Sequence, residues 1–472
     1  MLLHLFAGLF FLKQTAGPPA DSSKKNTFDS SAYVKITSIN IIGNKVTKRY
    51  IILRELNFKE GDSIPYRDLP TRFLKSKQNL LNSSLFNFAN IDTFDTRFGS
   101  TKIMIRVSER WYTWPVPIFE IADRNFNTWW ETKDLSRINY GFFLNRDNFR
   151  GRKERFALIA QFGYYEQYGF AYSIPYIDKK QRQGIGMSFV WTRNHEIPYA
   201  SYLNKLLYYK DHSSYARREL SAKLNYTYRQ GIYNSCMLEG KYFNGYVEDT
   251  IQKLTTDYFQ GNARTMEFFQ VHLLSKRDCR DSKAYPLKGY YLDCDINKVG
   301  LGILQDEKVD LWYVTASARK YFKLSDRFYL AGSVRGKVSS RTEQPYYTQR
   351  GLGYGDYVRG YEYYVIDGQH FALAKTGVKY EIIKPHVAKF DFFPSEKFNT
   401  FHYALYAEIF ADGAYVEDDL YGSSANPLAN QYLYGYGVGL DYVTYYDAVL
   451  RLEYSFIKSG ENGFFIHLWA PI

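Results

Sequence analysis

The chain holds 472 residues, room for two or three domains, and is 45% hydrophobic with a mean hydropathy of -0.41. No apolar run after the first dozen residues is long enough to cross a bilayer as a helix, which argues against a helical membrane protein. The net charge of +12 comes without a basic helix, a finger or an aromatic RNA-binding signature, so no nucleic acid partner is expected; a solvated basic face and an anionic membrane surface fit it equally.

At the N-terminus, Leu2 to Leu12 is apolar and is followed by the small residues Thr15-Ala16-Gly17. Residues 1–20 therefore read as a secretory signal lacking the usual positive charge at its start, with a buried N-terminal strand or helix as the other reading. Residues 20–32 are small and polar, a linker. Val34 to Ile41 alternates as a half-buried strand and stops at Gly43-Asn44. Two helices follow, Tyr50 to Leu56 and Arg67 to Leu81, the second carrying Leu69, Phe73, Leu74, Leu80 and Leu81 near one face. Strands at Phe86–Phe94 and Lys102–Val107 complete a small two-layer α+β domain over residues 33–109.

Beyond Val107 helical periodicity disappears. Residues 111–472 read as sixteen aromatic-rich segments, from 112–120 to 462–470, separated by turn residues, and the fold class expected is an all-β transmembrane barrel of 16 antiparallel strands. Tyrosine explains part of the pattern: the chain has 46, and a ring with a polar tip suits a membrane–water interface. In Tyr434-Gly435-Tyr436-Gly437-Val438-Gly439-Leu440-Asp441-Tyr442 one face carries aromatics and aliphatics while the other carries glycines and Asp441. The longest connections fall mostly on one side of the strand count, and the sixth of these, 340–370, contains Val358-Arg359-Gly360-Tyr361. Two connections on the opposite side, 277–287 and 385–399, are longer than such barrels prefer.

These pieces together resemble the BamA/TamA family of outer-membrane assembly and translocation proteins. The order Ile39-x-Ile41-x-Gly43-Asn44, then Gly61-Asp62, then Leu80 to Phe86, is similar to a POTRA domain, a periplasmic module that precedes the barrel. Val358-Arg359-Gly360-Tyr361 matches the family's (V/I)-R-G-(F/Y) motif, carried on a sixth outer loop that folds back into the barrel. Asn148-Phe149-Arg150-Gly151, Arg280-Asp281 with Pro286 and Gly289, Glu381 to Pro385, and Phe410-Ala411-Asp412-Gly413 resemble other family turns and strand ends. The resemblance implies an infolded loop, bacterial outer-membrane residence and a periplasmic POTRA domain.

Strand parity then supplies partners for the arginine. Lys375, Lys379 and Glu381 share the inward parity of one strand, and Glu408, Phe410 and Asp412 that of the next. Arg359 on an infolded loop is thus expected to lock against Glu381, Phe410 and Asp412; a solvated arginine over a wet pore is the other reading. A second site is the barrel seam between the first strand, with Trp114, Pro115 and Pro117, and the last, with Phe464, Ile466, Leu468 and Trp469. Both prolines delete donors toward the same neighbour if they lie in the strand, and nothing if they lie in a linker. The last strand resembles an outer-membrane terminal signal but ends in Pro471-Ile472. Cys279 and Cys294 flank one turn, so a cross-strand disulfide and two free thiols are both open.

The three cysteines and eight histidines have no metal-ligand spacing, and no phosphate loop, zinc-protease or serine-hydrolase motif occurs. No catalytic residue, metal or cofactor is expected. The resemblance implies an assembly and insertion factor for outer-membrane barrels, its partners being unfolded clients, outer-membrane lipids and periplasmic chaperones or accessory lipoproteins. The alternative is a channel of the same fold exporting one polypeptide or lipid, which fits a chain with fewer POTRA modules than BamA or TamA carry; a passive porin or adhesin is a third class.

Overall fold

The computed structural model describes residues 32–468 apart from 98, 122–137, 212, 256, 260, 306, 341–343, 391, 393–395 and 420–423. The segment expected as a signal, and Trp469, lie outside the described residues.

The first domain is built on β1 (Tyr33–Ile42), whose alternation buries Val34, Ile36 and Ile39; the change of parity comes at a register shift between Ile36 and Ser38. After α1 (Arg49–Leu53) comes β2 (Ser63–Pro65), a three-residue strand too short to stand out in the sequence. Helix α2 (Leu69–Asn82) starts with Pro in its first turn, where a missing N–H costs nothing. Strands β3 (Phe86–Arg97) and β4 (Ser100–Glu109) complete a sheet of order β2-β1-β4-β3, in which β1 and β4 run parallel. Ile36, Ile39, Ile51, Ile52, Leu80 and Phe86 form the core between sheet and helices. Leu74 is exposed, and α2 instead buries Ser76 and Asn79, which accept from Asn57 N at 2.9 Å and donate to Glu55 O at 3.0 Å.

The second sheet contains sixteen antiparallel strands in sequence order: β5 (Thr113–Ile121), β6 (Ile138–Phe149), β7 (Glu154–Gly163), β8 (Tyr165–Ile174), β9 (Gln183–Asn194), β12 (Arg217–Gln230), β13 (Asn234–Val247), β14 (Thr265–Asp278), β15 (Gly289–Val299), β16 (Leu311–Lys323), β17 (Phe328–Ser339), β18 (His370–Lys389), β19 (Thr400–Glu417), β20 (Tyr432–Val443), β21 (Val449–Ile457) and β22 (Asn462–Leu468). All sixteen overlap the segments expected from sequence. No helix among the described residues is long and apolar enough to cross a membrane. Tyr434, Tyr436, Val438 and Ile409 point outward from their strands.

Two features depart from the sequence reading, and one alternative it left open is decided. A hairpin of β10 (Glu196–Tyr202) and β11 (Lys205–Lys210) rises from the connection between β9 and β12. The long 385–399 connection is shortened by strand: β18 and β19 pair out to Lys389 and Thr400, with register shifts on either side of Ile383 accommodating Pro385. Cys236, Cys279 and Cys294 are all free thiols. Cys279 N bonds Tyr290 O while Cys294 opposes Ser275, so the two cysteines are four residues apart along the ladder. That is about 13 Å, and a disulfide needs Cα atoms within roughly 7 Å.

Candidate functional site: a locked loop beside an unpaired seam

The loop between β17 and β18 is pinched shut where Leu352 and Ile366 exchange backbone hydrogen bonds of 2.9 and 2.8 Å, leaving a tongue with the Val358–Tyr361 motif in its fold. Tyr361 N donates to Val358 O at 3.0 Å and Gly360 has φ +98, a turn with glycine at its third position. The glycine is needed twice over, because an added Cβ would also overlap the Ile457 side chain. Val358 and Tyr361 are buried with Leu373, Leu433 and Ile457 of the barrel wall, so the tongue lies inside. Gly435 on β20 lets the tongue approach: a side chain there would run into the Arg359 carbonyl.

This seating leaves Arg359 2% exposed with all its donor groups engaged. Its Nε and one terminal nitrogen reach both oxygens of Asp412 at 2.8 and 2.6 Å, a bidentate fork, and its backbone N adds a third bond to Asp412 at 3.1 Å. The other terminal nitrogen donates to Glu408 at 3.0 Å, and the one on Asp412 also donates to Thr376 O at 2.9 Å. The guanidinium lies 3.9 Å from the Phe410 ring centroid. Behind it Arg451 binds Asp441 at 2.6 and 2.9 Å and Glu408 at 3.1 Å, and Tyr285 donates to Asp441 at 2.7 Å.

Asp412 and Phe410 take the places expected of them, and Glu381 does not. It accepts from Tyr406 at 3.4 Å, nearer the other end of β18. Arg359 touches β18 at Thr376, and five residues of strand span about 17 Å, beyond a guanidinium's reach. Parity chose the right face and the wrong height.

The two end strands differ from all others: among the described residues neither a register nor a backbone hydrogen bond joins β5 to β22. Asp147 N donates to Tyr112 O at 2.8 Å, and this fixes the phase of the β5–β6 ladder. Counting from that bonded pair, Pro115 and Pro117, opposite Leu144 and Phe142, occupy the alternate positions whose amide side faces away from β6. The prolines lie within β5 and remove two donors from the open edge. On β22, Phe464, Ile466 and Leu468 face outward, as Phe119 does on β5.

The first domain docks on the turns at one end of the barrel. Glu55, buried, receives Arg229 through bonds of 2.8 and 2.9 Å, with Lys153 at 3.6 Å and the Tyr176 hydroxyl at 3.4 Å. Burial alone would raise its pKa, but Lys153 and Arg229 outweigh burial and hold the carboxyl down at about 2. Arg110 forks onto Asp447 at 2.6 and 2.9 Å. Asn82 donates to Arg280 O and Asp281 O, both at 3.2 Å, which gives the long 279–288 connection its use. The Asn148-Phe149-Arg150-Gly151 turn meets the same domain, through Lys48 N to Gly151 O at 2.9 Å and Asn148 to Thr47 at 2.9 Å.

At the far end the β10–β11 hairpin crosses to the motif loop. Asn204 exchanges bonds with Val365, 2.9 Å from Val365 N and 3.0 Å to Val365 O, and Leu203 N reaches Ala425 O at 2.8 Å. Ser201 bonds Asp367.

An Omp85 superfamily domain matches residues 148–463, from the first turn that touches the docked domain to the last strand. The chain belongs to the Omp85 superfamily. The BamA/TamA resemblance thus holds at the level of the superfamily, and an Omp85 barrel is an outer-membrane protein. CdiB from Escherichia coli is similar in structure, with TM-score 0.52 and 13% identity over 92% of this chain and 75% of that one. CdiB from Acinetobacter baumannii (TM-score 0.47, 13% identity, 92% and 73% covered) and BamA from Haemophilus ducreyi lacking POTRA domains 1–3 (0.47, 13%, 90% and 81%) are similar over comparable lengths. No curated protein sequence matches the chain.

Within this Omp85 barrel, sequence reasoning placed Glu408 and Asp441 on inward faces without assigning them, and missed Arg451 and Glu453. Their signal was present: in Val449-Leu450-Arg451-Leu452-Glu453-Tyr454-Ser455 the buried positions alternate with outward ones, and Arg451 opposes Asp441.

Proposed function

We propose that this Omp85 protein assembles and inserts outer-membrane β-barrels, using the β5–β22 seam as a template for incoming strands. What supports it is the pair of edges that lack each other's hydrogen bonds, one stripped of two donors by Pro115 and Pro117. An edge of unpaired N–H and C=O groups accepts another strand. The docked α+β domain, with the helix and sheet order of a POTRA domain, lies on the periplasmic side and receives unfolded clients there, delivered by chaperones or accessory lipoproteins. Arg359 and Asp412 keep the tongue inside so that the wall beside the seam holds its shape while the edges part. No cofactor and no hydrolysis enter the scheme.

The test is client folding into liposomes containing the purified protein. Restoring the two donors, Pro115→Ala with Pro117→Ala, slows client insertion; unchanged rates would overturn the seam as template. A second reading, export of one polypeptide or lipid through the lumen, draws on the β10–β11 hairpin, which closes the far mouth through a few bonds around Asn204. Under that reading Asn204→Ala raises single-channel conductance and depletion removes one exported product; under the first, depletion removes many barrels.

A further inference from the structure

Three side chains outside the lock converge between the tongue and the last strand: Glu362 of the tongue, Glu453 of β21 and His467 of β22. Their ligating atoms lie within 4.8 Å of one another. His467 Nε2 is 3.2 Å from Glu453 Oε2 and 3.5 Å from Glu362 Oε1. Glu453 is 1% exposed, and neither of its carboxylate oxygens has a hydrogen bond, nor have Glu362 Oε1 and His467 Nε2. Its Oε1 has only the distant guanidinium groups of Arg451 and Arg359, at 3.6 and 3.7 Å, while Oε2 faces the imidazole.

A protonated imidazole would answer these carboxylates along its N–H axis. The separations suit a hydrogen bond but the direction does not, so the three atoms surround a point rather than lie on a line. Zinc bound at about 2.0–2.2 Å to nitrogen and oxygen sets tetrahedral ligands roughly 3.3–3.5 Å apart, close to the two separations here. The other ring nitrogen of His467 sits 3.4 Å from the Tyr357 hydroxyl, the outer partner that fixes a ligating imidazole with Nε2 free.

We infer that Glu362, Glu453 and His467 form a divalent-cation site of the zinc type, with one position left for water. It fastens the tongue to the edge strand: Glu362 belongs to one, His467 to the other. The residues lie on three separate segments, which is why histidine spacing gave no sign of it.

The test uses the full chain folded in detergent micelles with any polyhistidine tag removed, titrated with ZnCl2 by equilibrium dialysis and with Co2+ by visible absorption. Wild type binds one metal ion and gives the intense bands of low-coordinate cobalt. Glu362→Gln and His467→Ala, each confirmed as folded by heat-modifiable gel mobility, lose both. Tyr357→Phe keeps the bands and weakens binding about tenfold, as loss of an outer partner does. Metal added to wild type slows hydrogen exchange in residues 352–366. An absence of cobalt bands in wild type, or binding as tight as wild type in both variants, overturns the site. These readouts do not depend on insertion activity, so failure of the seam as template leaves them standing.

Discussion

One strand separates the most heavily tied part of this barrel from its least tied part. On β19–β21 and the tongue, buried carboxylates and guanidinium groups answer each other through bonds of 2.6–3.1 Å. Among the described residues, no ladder joins β22 to β5. Buried ion pairs are a poor source of net stability, since desolvation offsets most of their attraction, but they punish every alternative arrangement. The difference between the regions is therefore one of permitted motion. The wall has a single pose, and the seam has many within reach.

The largest way to break that contrast is Arg359→Ala, which strips Asp412 of its guanidinium fork and leaves Glu408 with Arg451 alone. Removing one partner of a buried pair costs about 3–5 kcal/mol, enough to free the tongue. Limited proteolysis is expected to cut within 352–366 in the variant and not in wild type, with the barrel still heat-modifiable, and client insertion falls. Next comes the docked domain, a third region that behaves like the wall. Glu55→Gln weakens docking by about 1.5–3 kcal/mol, read as a broadened distance between spin labels on α2 and on the 175–182 turn. Glu55 has its pKa lowered from 4.5 to about 2, so its contribution is complete above about 4.5 and is lost as pH falls toward 2. The distance in wild type should stay sharp down to about 4.5 and broaden below it, a dependence the Gln variant lacks.

Pro115→Ala with Pro117→Ala sharpens the contrast from the other side. Two new donors offer bonds of about 0.5–1.5 kcal/mol each, and hydrogen exchange along β22 slows. The smallest effect belongs to Glu381→Gln. With only a 3.4 Å bond from Tyr406 to lose, it leaves tongue proteolysis unchanged, whereas a true lock residue would not.

The barrel was legible because its two faces see different solvents, and Tyr434-Gly435-Tyr436-Gly437 carries that contrast in adjacent letters. The glycines there marked more than alternation: Gly435 is where the tongue's backbone lies. Asp412 was legible for the same reason, being on the inward parity of a strand beside the motif. Glu381 failed because parity fixes a face and says nothing of height, which depends on how deep the tongue reaches. The β10–β11 hairpin was hidden because its residues look like any long connection, and β2 because three residues carry no period. Arg451 and Glu453 needed the register between β20 and β21, a tertiary fact.

Arg110 lies just ahead of β5, and its partner Asp447 lies in the turn that joins β20 to β21. Trp111 N bonds the Tyr446 hydroxyl at 3.0 Å, and Trp114 meets the Tyr446 ring edge-on at 5.3 Å. The foot of the first strand is thus riveted one strand inward from the last. Any parting of the two edges pivots on this rivet and gapes toward the far rim, as a tapered slot rather than a parallel slit. Under the proposed template role, a guest strand meets the wide end of that slot at the far rim and its apex beside the docked domain, so the angle at the pivot limits how many strands the slot can hold at once.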